Sequence, residues 1–394
     1  MNNFSPNTND ILFSQLEILP SIQSSIVIPV KNEETYIVKT LNSFAQQVDI
    51  LGEPLPVDQF EILILANNCS DNSVAYIKDF QTKHPDLNIY LEEITLPSAQ
   101  ANIGYIRRKL MECAYLRLAK NGGGIIVTTD GDTIVAQDWI AQTYWEIENG
   151  AECVGGRILL ADDELEGLDE YTRLHHFKDE KYHLLIAELE ARIINSSFDP
   201  LPRHHQHFNG SFAITTDCYY RSGGVPVVNQ LEECAFFERL ESVDAKIRHS
   251  WKVKVYTSAR CIGRTEIGLS YQLNEWKNLG KQVDEYFVES CPSIINRLTI
   301  KKNLMILWEI KERPDFDFYQ EVGKIALEMA LNDEMYETFK NSRYFGEWYE
   351  KIIKSKQVNG QEEFPAVHID KAIKDLMIKL KEYAHHNLPQ TSIL

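Results

Sequence analysis

The sequence predicts an α/β protein: a mostly parallel central sheet followed by an α-helical C-terminal extension. Three observations carry this reading. Apolar, β-branched runs alternate with helical periodicity as far as Asp130. Each of three polar clusters, Lys31–Glu34, Asn67–Asp71 and Asp130–Asp132, directly follows a strand-like run. From about Gly280 onward the periodicity is nearly all helical.

Ser25–Val30 reads as the first strand. A helix follows with Ile37, Leu41 and Phe44 on one face and Glu33 and Glu34 in its first turn, where acids suit the helix dipole. Glu61–Ala66 is the second strand, and Ser70 or Asp71 is expected to cap the next helix, whose Val74, Ile77 and Phe80 share a side. Asn88–Ile94 is the third strand. A helix from about Gln100 to Lys120 leads through Gly122–Gly124 into the fourth, which ends in Thr-Thr-Asp-Gly-Asp. Strand–helix alternation implies parallel strands joined by right-handed crossovers. The three polar clusters therefore share one sheet edge, the edge at which open α/β sheets bind ligands.

Past Asp132 the rhythm changes. Asp138–Asn149 reads as a helix, Ala151–Ile158 as a strand interrupted at Gly155–Gly156, and Leu168–Ile194 as a long amphipathic helix. A loop, Asn195–Phe208, precedes a strand at Ser211–Thr215, a turn at Gly223–Gly224, a helix around Glu232–Glu241 and a strand at Lys252–Tyr256. Five further helices are expected at Gln282–Glu289, Ser293–Lys311, Phe318–Asn332, Tyr336–Ser355 and Ala366–Tyr383.

With 394 residues, 44% hydrophobic and 25% charged, the chain is long enough for two domains or one large one with an appendage. A formal charge of −18 argues against nucleic acid and anionic lipid as partners. No apolar run approaches bilayer length and the first ten residues lack a signal-peptide pattern, so a cytoplasmic protein with no transmembrane segment is expected. Seven scattered cysteines without a Cys-x-x-Cys pair argue against a disulfide framework and against structural zinc. The histidines of Arg203-His-His-Gln-His207 fit no common zinc spacing.

Asp130 and Asp132, separated by one glycine, are able to present oxygens to one hard divalent cation; a plain acidic turn is the alternative. Together with Ile28-Pro-Val-Lys-Asn-Glu-Glu34, Ala66-Asn-Asn-Cys-Ser-Asp71, Gly104 with Arg107 and Arg108, Gly223-Gly-Val-Pro226, Glu232-Glu233 and Ser258-Ala-Arg-Cys-Ile-Gly-Arg264, this ordered set resembles the family 2 glycosyltransferases, from Ser25 to about Trp276. The resemblance implies the GT-A fold over residues 22–280, with a nucleotide-binding half (22–133) and an acceptor-binding half (134–280). A polar tail (1–21) would precede it and a helical region (281–394) follow, with capping the acceptor site, homo-oligomerisation and partner binding all open for that region.

The implied activity is hexosyl transfer, with inversion, from a nucleoside diphosphate sugar to an acceptor hydroxyl, dependent on Mn²⁺ or Mg²⁺. Pro29 and Glu33 would lie beside the nucleotide. The family usually carries an acidic pair where this chain has Asn67 and Asn68, which leaves both UDP- and GDP-linked donors open. Gly104, Arg107 and Arg108 would serve the diphosphate, with a solvated helix face as the alternative for the arginines. Asp132 would hold the metal directly and Asp130 the ribose or the metal through water. His249 is a candidate third ligand, against a surface histidine ahead of a strand. Glu233, or Glu232, would be the general base. Arg264, with Arg260 as its alternative, would close over the diphosphate. Two rival activities are a sugar-1-phosphate nucleotidyltransferase, disfavoured because the loop after the first strand lacks glycine, and a non-catalytic nucleotide-sugar-binding protein.

Overall fold

The computed structural model describes residues 12–97, 100–228, 231–260, 268–282, 285–324, 333–358 and 364–386. Along the chain the elements are β1 (Ser24–Val30), α1 (Ile37–Ala45), β2 (Phe60–Asn67), α2 (Ser73–Lys83), β3 (Ile89–Ile94), α3 (Ile103–Lys120), β4 (Ile125–Thr129), β5 (Thr133–Val135) and α4 (Trp139–Glu148). There follow β6 (Cys153–Leu160), α5 (Asp162–Glu166), α6 (Glu170–Ile194), β7 (Ser211–Thr215), α7 (Thr216–Ser222), α8 (Glu232–Ser242), β8 (Ile247–Thr257) and α9 (Leu269–Gln282). The last are β9 (Phe287–Val288), α10 (Cys291–Glu309), α11 (Phe318–Lys324), α12 (Asp333–Asn341), α13 (Phe345–Val358), β10 (Val367–His368) and α14 (Ile369–His386).

The chain forms two compact units, the first bounded by Met1–Asp169, Gln206–Leu240 and Ala245–Glu275, the second by Glu170–His205, Glu241–Asp244 and Trp276–Leu394. The first contains an eight-stranded sheet in the order β3-β2-β1-β4-β7-β6-β8-β5. β3, β2, β1 and β4 are parallel, as the alternation predicts. β7 is antiparallel to both β4 and β6, β8 is parallel to β6, and β5 is antiparallel to β8. β1, β2 and β4 are apolar along nearly their whole length because both faces of this sheet are covered. Ile37, Leu41 and Phe44 of α1 pack with Ile26, Ile28 and Ile62 of the sheet in one core, which also takes Trp139 and Ile140 of α4. α3 buries Ile106, Leu110, Ala114 and Leu118 at helical spacing, and its N-cap Asn102 accepts the Tyr105 N–H.

The second unit is helical. Tyr182 and Leu189 of α6, Ile294 and Leu298 of α10, and Ile373 and Leu376 of α14 form one core; Leu304, Leu307, Phe318, Phe339, Trp348 and Ile352 form another. The division expected at residue 280 therefore falls elsewhere, since the apolar face of α6 finds its complement on α10 and α14. Two helix expectations are corrected here. The expected helix Gln282–Glu289 is, over its described residues 285–289, not helical: its Phe287 and Val288 pair antiparallel with His368 and Val367, a pairing suited to such side chains. Tyr336–Ser355 is two helices, α12 and α13, because the Asp244 carboxylate accepts the Phe345 and Gly346 N–H groups and starts a new one. The expected helix Phe318–Asn332 is α11 up to Lys324, and the remainder lies outside the described residues. Among the described residues, no helix is long and apolar enough to cross a membrane.

One buried ion pair fastens α3 to the sheet. Arg117 donates from Nε and Nη2 to the two oxygens of Glu61 on β2, at 2.9 and 2.6 Å, and Ser25 Oγ donates to the same carboxylate. Arg117 Nη1 also holds the Leu16 carbonyl at 2.7 Å. Removing one partner strands the other charge in the interior. Arg117→Ala is expected to lower unfolding stability by roughly 3–5 kcal/mol, read by urea denaturation. The double variant Arg117→Met/Glu61→Leu is expected to regain most of that loss.

Candidate active site

The sheet register sets the site. Val30 lies opposite Ala66, and Val27 opposite Thr128, so the loops after β1, β2 and β4 leave the sheet at one level. The β1–β4 pairing stops at Val27–Thr128, and Pro29, which has no N–H to donate, lies past its end. The first two loops are laced together. Asn32 Oδ1 accepts the Ser70 N–H at 2.7 Å, the Glu33 N–H donates to Ser73 Oγ at 2.7 Å, and the Glu34 N–H donates to Asp71 at 3.0 Å. Asn32 and Asn68 adopt left-handed backbone angles (φ 56° and 49°), which asparagine tolerates better than most residues. Glu33 and Glu34 are therefore loop residues rather than the first turn of a helix, since α1 begins only at Ile37. Neither Ser70 nor Asp71 is the N-cap of α2. That position is Asn72, while the Asp71 carboxylate accepts the N–H and hydroxyl of Ser73.

The first acid cluster joins Glu33 and Asp132 through Arg260. The guanidinium donates to both Glu33 oxygens, at 3.0 and 3.2 Å, and its Nη2 lies 2.9 Å from Asp132 Oδ2. Ser258 donates to the same Asp132 oxygen at 2.7 Å. Only 8% of the Asp132 side chain is exposed, and this burial raises its pKa despite the opposing charge of Arg260. Gly131 lets the β4 loop approach this closely: a Cβ there would stand 3.1 Å from Glu33 Cγ. Glu164 of α5 braces the cluster from outside. It accepts the Ala259 N–H and the Tyr36 hydroxyl, whose pKa burial and this carboxylate push up to about 12. Nothing in the spacing of the sequence marks Glu164 or Tyr36; the acidic run Asp162–Glu164 after β6 is the sole trace.

The second acid cluster centres on Arg107. Its Nη2 donates to Asp130 Oδ1 at 2.8 Å, its Nη1 to Thr128 Oγ1 at 2.6 Å and to the Asn209 carbonyl at 3.3 Å, and its Nε faces Glu232 Oε1 at 3.8 Å. Glu233, beside Glu232 in the first turn of α8, accepts the Asn209 N–H at 2.9 Å. Burial drives the Glu233 pKa up to about 7, against the pull of Arg107. Gly104 fits closely against Glu232: a Cβ there would sit 3.1 Å from Glu232 Cβ.

Arg107 is buried beneath Asp130 and Glu232 because it flanks the buried Ile106–Leu110 stripe of α3, and Gly104 packs on Glu232. Arg108, on the other side of that helix, pairs with Glu112 at 2.7 Å. Both ends of the Asn68 amide are engaged by the Leu96 backbone at 3.0 Å; Asn67 is buried at the end of β2. His249 sits near the start of β8, its ring against His207 and Phe237, whereas the end of β8, at Thr257, is the part that pairs beside Asp132. The structure thus does not bring His249 to the Asp132 cluster. Arg264 lies outside the described residues. In the histidine loop, His207 stacks on Phe237 at 3.5 Å between ring centroids, and Phe208–Asn209 leads directly to Glu233.

The sequence matches the family described as Glycosyl transferase family 2 over residues 25–221, half of the chain and all of the elements that build both clusters except α8 and the end of β8. The chain belongs to glycosyltransferase family 2. Its architecture is the GT-A fold of that family, with a helical unit added. A curated family relative, glycosyltransferase AglE of Haloferax volcanii, is 27% identical over 136 residues, 34% of this chain and 38% of AglE. The chain thus spans well under half the length of that relative. Among solved structures it is similar to the mannosyltransferase PcManGT from Pyrobaculum calidifontis in complex with GDP-Man and Mn²⁺. Identity is 15%, the match covers 85% of this chain and 88% of that one, and the TM-score is 0.43. It is also similar to residues 1–349 of TarS from S. aureus in complex with UDP, with 14% identity, 88% and 94% coverage and a TM-score of 0.39.

A divalent cation fits these residues in one way. Among the described residues no group of three or more His, Cys, Asp and Glu side chains is arranged to hold a metal. Arg260 and Ser258 bind Oδ2 of Asp132 and Arg107 binds Oδ1 of Asp130, so the other oxygen of each carboxylate is not engaged by these cations. One or two carboxylate oxygens completed by substrate phosphates is the way Mg²⁺-type ions are commonly held. Arg260→Gln leaves Asp132 and Glu33 without their shared counter-charge. Because the Asp132 pKa already stands raised, the variant regains stability as that carboxyl takes up a proton on acidification. The expected loss in Tm relative to the parent is larger at pH 8 than at pH 5.5, measured by calorimetry at both; an equal loss would separate Arg260 from the stability of this cluster.

Proposed function

We propose that this chain transfers a glycosyl group from a nucleoside diphosphate sugar to an acceptor hydroxyl with inversion at the anomeric carbon. The observation that carries the reading is Glu233: a partly buried carboxyl near neutral pKa, held by the Asn209 N–H at 2.9 Å and facing Arg107, which binds Asp130. A general base is most effective with a pKa close to the working pH.

The roles divide between the clusters. Glu233 takes the acceptor proton while the acceptor oxygen bonds to the anomeric carbon from the face opposite the diphosphate. The carbon–oxygen bond to the β-phosphate breaks, and its electron pair leaves on the phosphate oxygen. No covalent enzyme intermediate is needed, so the chain's work is orientation, charge compensation and one proton transfer. Asp132, with Asp130, would hold Mn²⁺ or Mg²⁺, which when bound neutralises charge on the diphosphate. Arg260 is placed to exchange Asp132 for a phosphate oxygen, a partner its planar fork suits. The nucleotide, UDP- or GDP-linked, would lie along Pro29–Glu33. Because Asn68 is spent on Leu96, base selection would rest on other groups.

Glu233→Gln is expected to lower transfer by at least about a hundredfold while leaving calorimetric affinity for UDP or GDP with Mn²⁺ unchanged. Normal turnover by this variant would defeat the assignment. The parent enzyme should lose activity as pH falls through about 7, where Glu233 protonates. The same shift has a stability consequence of opposite sense. A carboxyl whose folded pKa is raised costs nothing while protonated in both states, and the cost grows until it is complete above about 7. Glu233→Gln should therefore be more stable than the parent at pH 8, by roughly 1–3 kcal/mol, and equal to it near pH 4.

A further inference from the structure

We infer that Arg107 is a positioning residue that ties the two halves of the transfer together: one buried guanidinium holds Asp130 on the donor side and Glu232 and Asn209, hence Glu233, on the acceptor side. The inference rests on the base assignment given above and goes beyond it, because it concerns the buried cation behind the base rather than the base itself.

The geometry is specific. Arg107 is 4% exposed, yet three of its contacts belong to other elements at the rim: Asp130 after β4, Asn209 before β7 and Glu232 in α8. Thr128 Oγ1 stands between it and the sheet: it accepts from Arg107 Nη1 at 2.6 Å and donates to the Asn209 carbonyl at 3.2 Å. Asn209 is therefore gripped at its carbonyl by Arg107 and Thr128, while its N–H holds Glu233 Oε2. Toward Glu232 the contact is different in kind. Nε is buried without a hydrogen-bond partner among the described residues, and Glu232 Oε1 is 3.8 Å away, an attraction between charges without a bond. A structural strut would have its donors satisfied. Here one donor is held toward a carboxylate beside the base, in an interior where an unpaired charge is costly.

The groups facing Glu233 are Arg107 from α3, Asp130 from the loop after β4, the Asn209 N–H, and Glu232 and Cys234 from α8 itself. Arg107 is the cation of this set. It favours the ionised Glu233, whereas Glu232 and Asp130 oppose it. Replacing Arg107 by a neutral residue should make Glu233 harder to ionise, and neutralising Glu232 should make it easier.

The test monitors the protonated-carboxyl stretch of Glu233 in the ligand-free enzyme by infrared difference titration, the band being assigned by its absence from Glu233→Gln. In the parent the midpoint is expected near 7. Arg107→Gln should move it upward by about one to three pH units, the range expected when one opposite charge is lost at this distance. Arg107→Lys, which restores charge without the fork, should bring it most of the way back. Glu232→Gln should move it downward. Affinity for UDP or GDP with Mn²⁺, by calorimetry, should fall about tenfold in Arg107→Lys, because Asp130 loses its oriented partner.

A midpoint that stays in place in folded Arg107→Gln overturns the inference, as does a shift that Arg107→Lys leaves uncorrected. If Arg107→Gln does not fold, Glu232→Gln decides: an unmoved midpoint there overturns the inference and a downward shift supports it. Glu233→Gln transfer activity, measured alongside, separates the two layers. Full activity defeats the base assignment and the inference with it, whereas an inactive Glu233→Gln with an unmoved midpoint in Arg107→Gln defeats the coupling alone.

Discussion

Among the described residues, five carboxylates at one sheet edge need counter-charge and two arginines face them. Glu33 and Asp132 share Arg260; Asp130, Glu232 and Glu233 face Arg107. In a chain of net charge −18 this edge would otherwise repel itself. The two arginines differ in how they are held. Arg107 is held among Thr128, Asn209 and Asp130 inside the fold, while the Arg260 side chain is about a quarter exposed. The buried guanidinium pairs with Asp130 and favours the ionised form of Glu233, against the desolvation that raises that carboxyl's pKa.

Much of this is legible in the sequence, for a reason that can be located. β1, β2 and β4 are buried on both faces, so they appear as uninterrupted apolar runs, and the polar residues after them mark the edge without ambiguity. The register then brings Lys31–Glu34, Asn67–Asp71 and Asp130–Asp132 to one level. What periodicity does not carry is strand direction beyond β4. β7 runs antiparallel to its neighbours although Ser211–Thr215 reads like any other strand. The extra length of β8 is hidden too: Arg248, His249 and Ser250 keep its first half from reading as an apolar strand, although it pairs with Cys153–Gly156 of β6 before the register shifts at Gly156/Arg157.

The surroundings of several candidate residues are set by packing that a motif does not carry. Arg107 and Arg108 are adjacent, and only helix phase separates them. Ile106, Leu110 and Ala114 define the buried stripe, Arg107 borders it inward and Arg108 outward, so the distinction is present in the spacing but not in the motif. Asn68 has left-handed backbone angles, a conformation in which asparagine readily bonds locally, as its amide does with Leu96. The ring neighbours of His249, His207 and Phe237, come from other segments, and no local pattern announces their contact.

The long helix α6 shows where sequence order and packing part. It comes soon after the β6 strand, and a linear reading assigns it to the sheet domain. Its Tyr182 and Leu189 instead share a core with Ile294, Leu298, Ile373 and Leu376, and Tyr182 donates its hydroxyl to the Glu289 carbonyl at 2.9 Å. A 25-residue amphipathic helix needs a long apolar partner, and α10 and α14, at 19 and 18 residues, provide it. The family match ends at residue 221, yet α8, with Glu232 and Glu233, and the segment carrying Ser258 and Arg260 lie beyond it. Glu33, Asp130 and Asp132 thus fall inside the family match, while the groups that pair with them across the rim, Glu232, Glu233, Ser258 and Arg260, are supplied by the chain beyond residue 221.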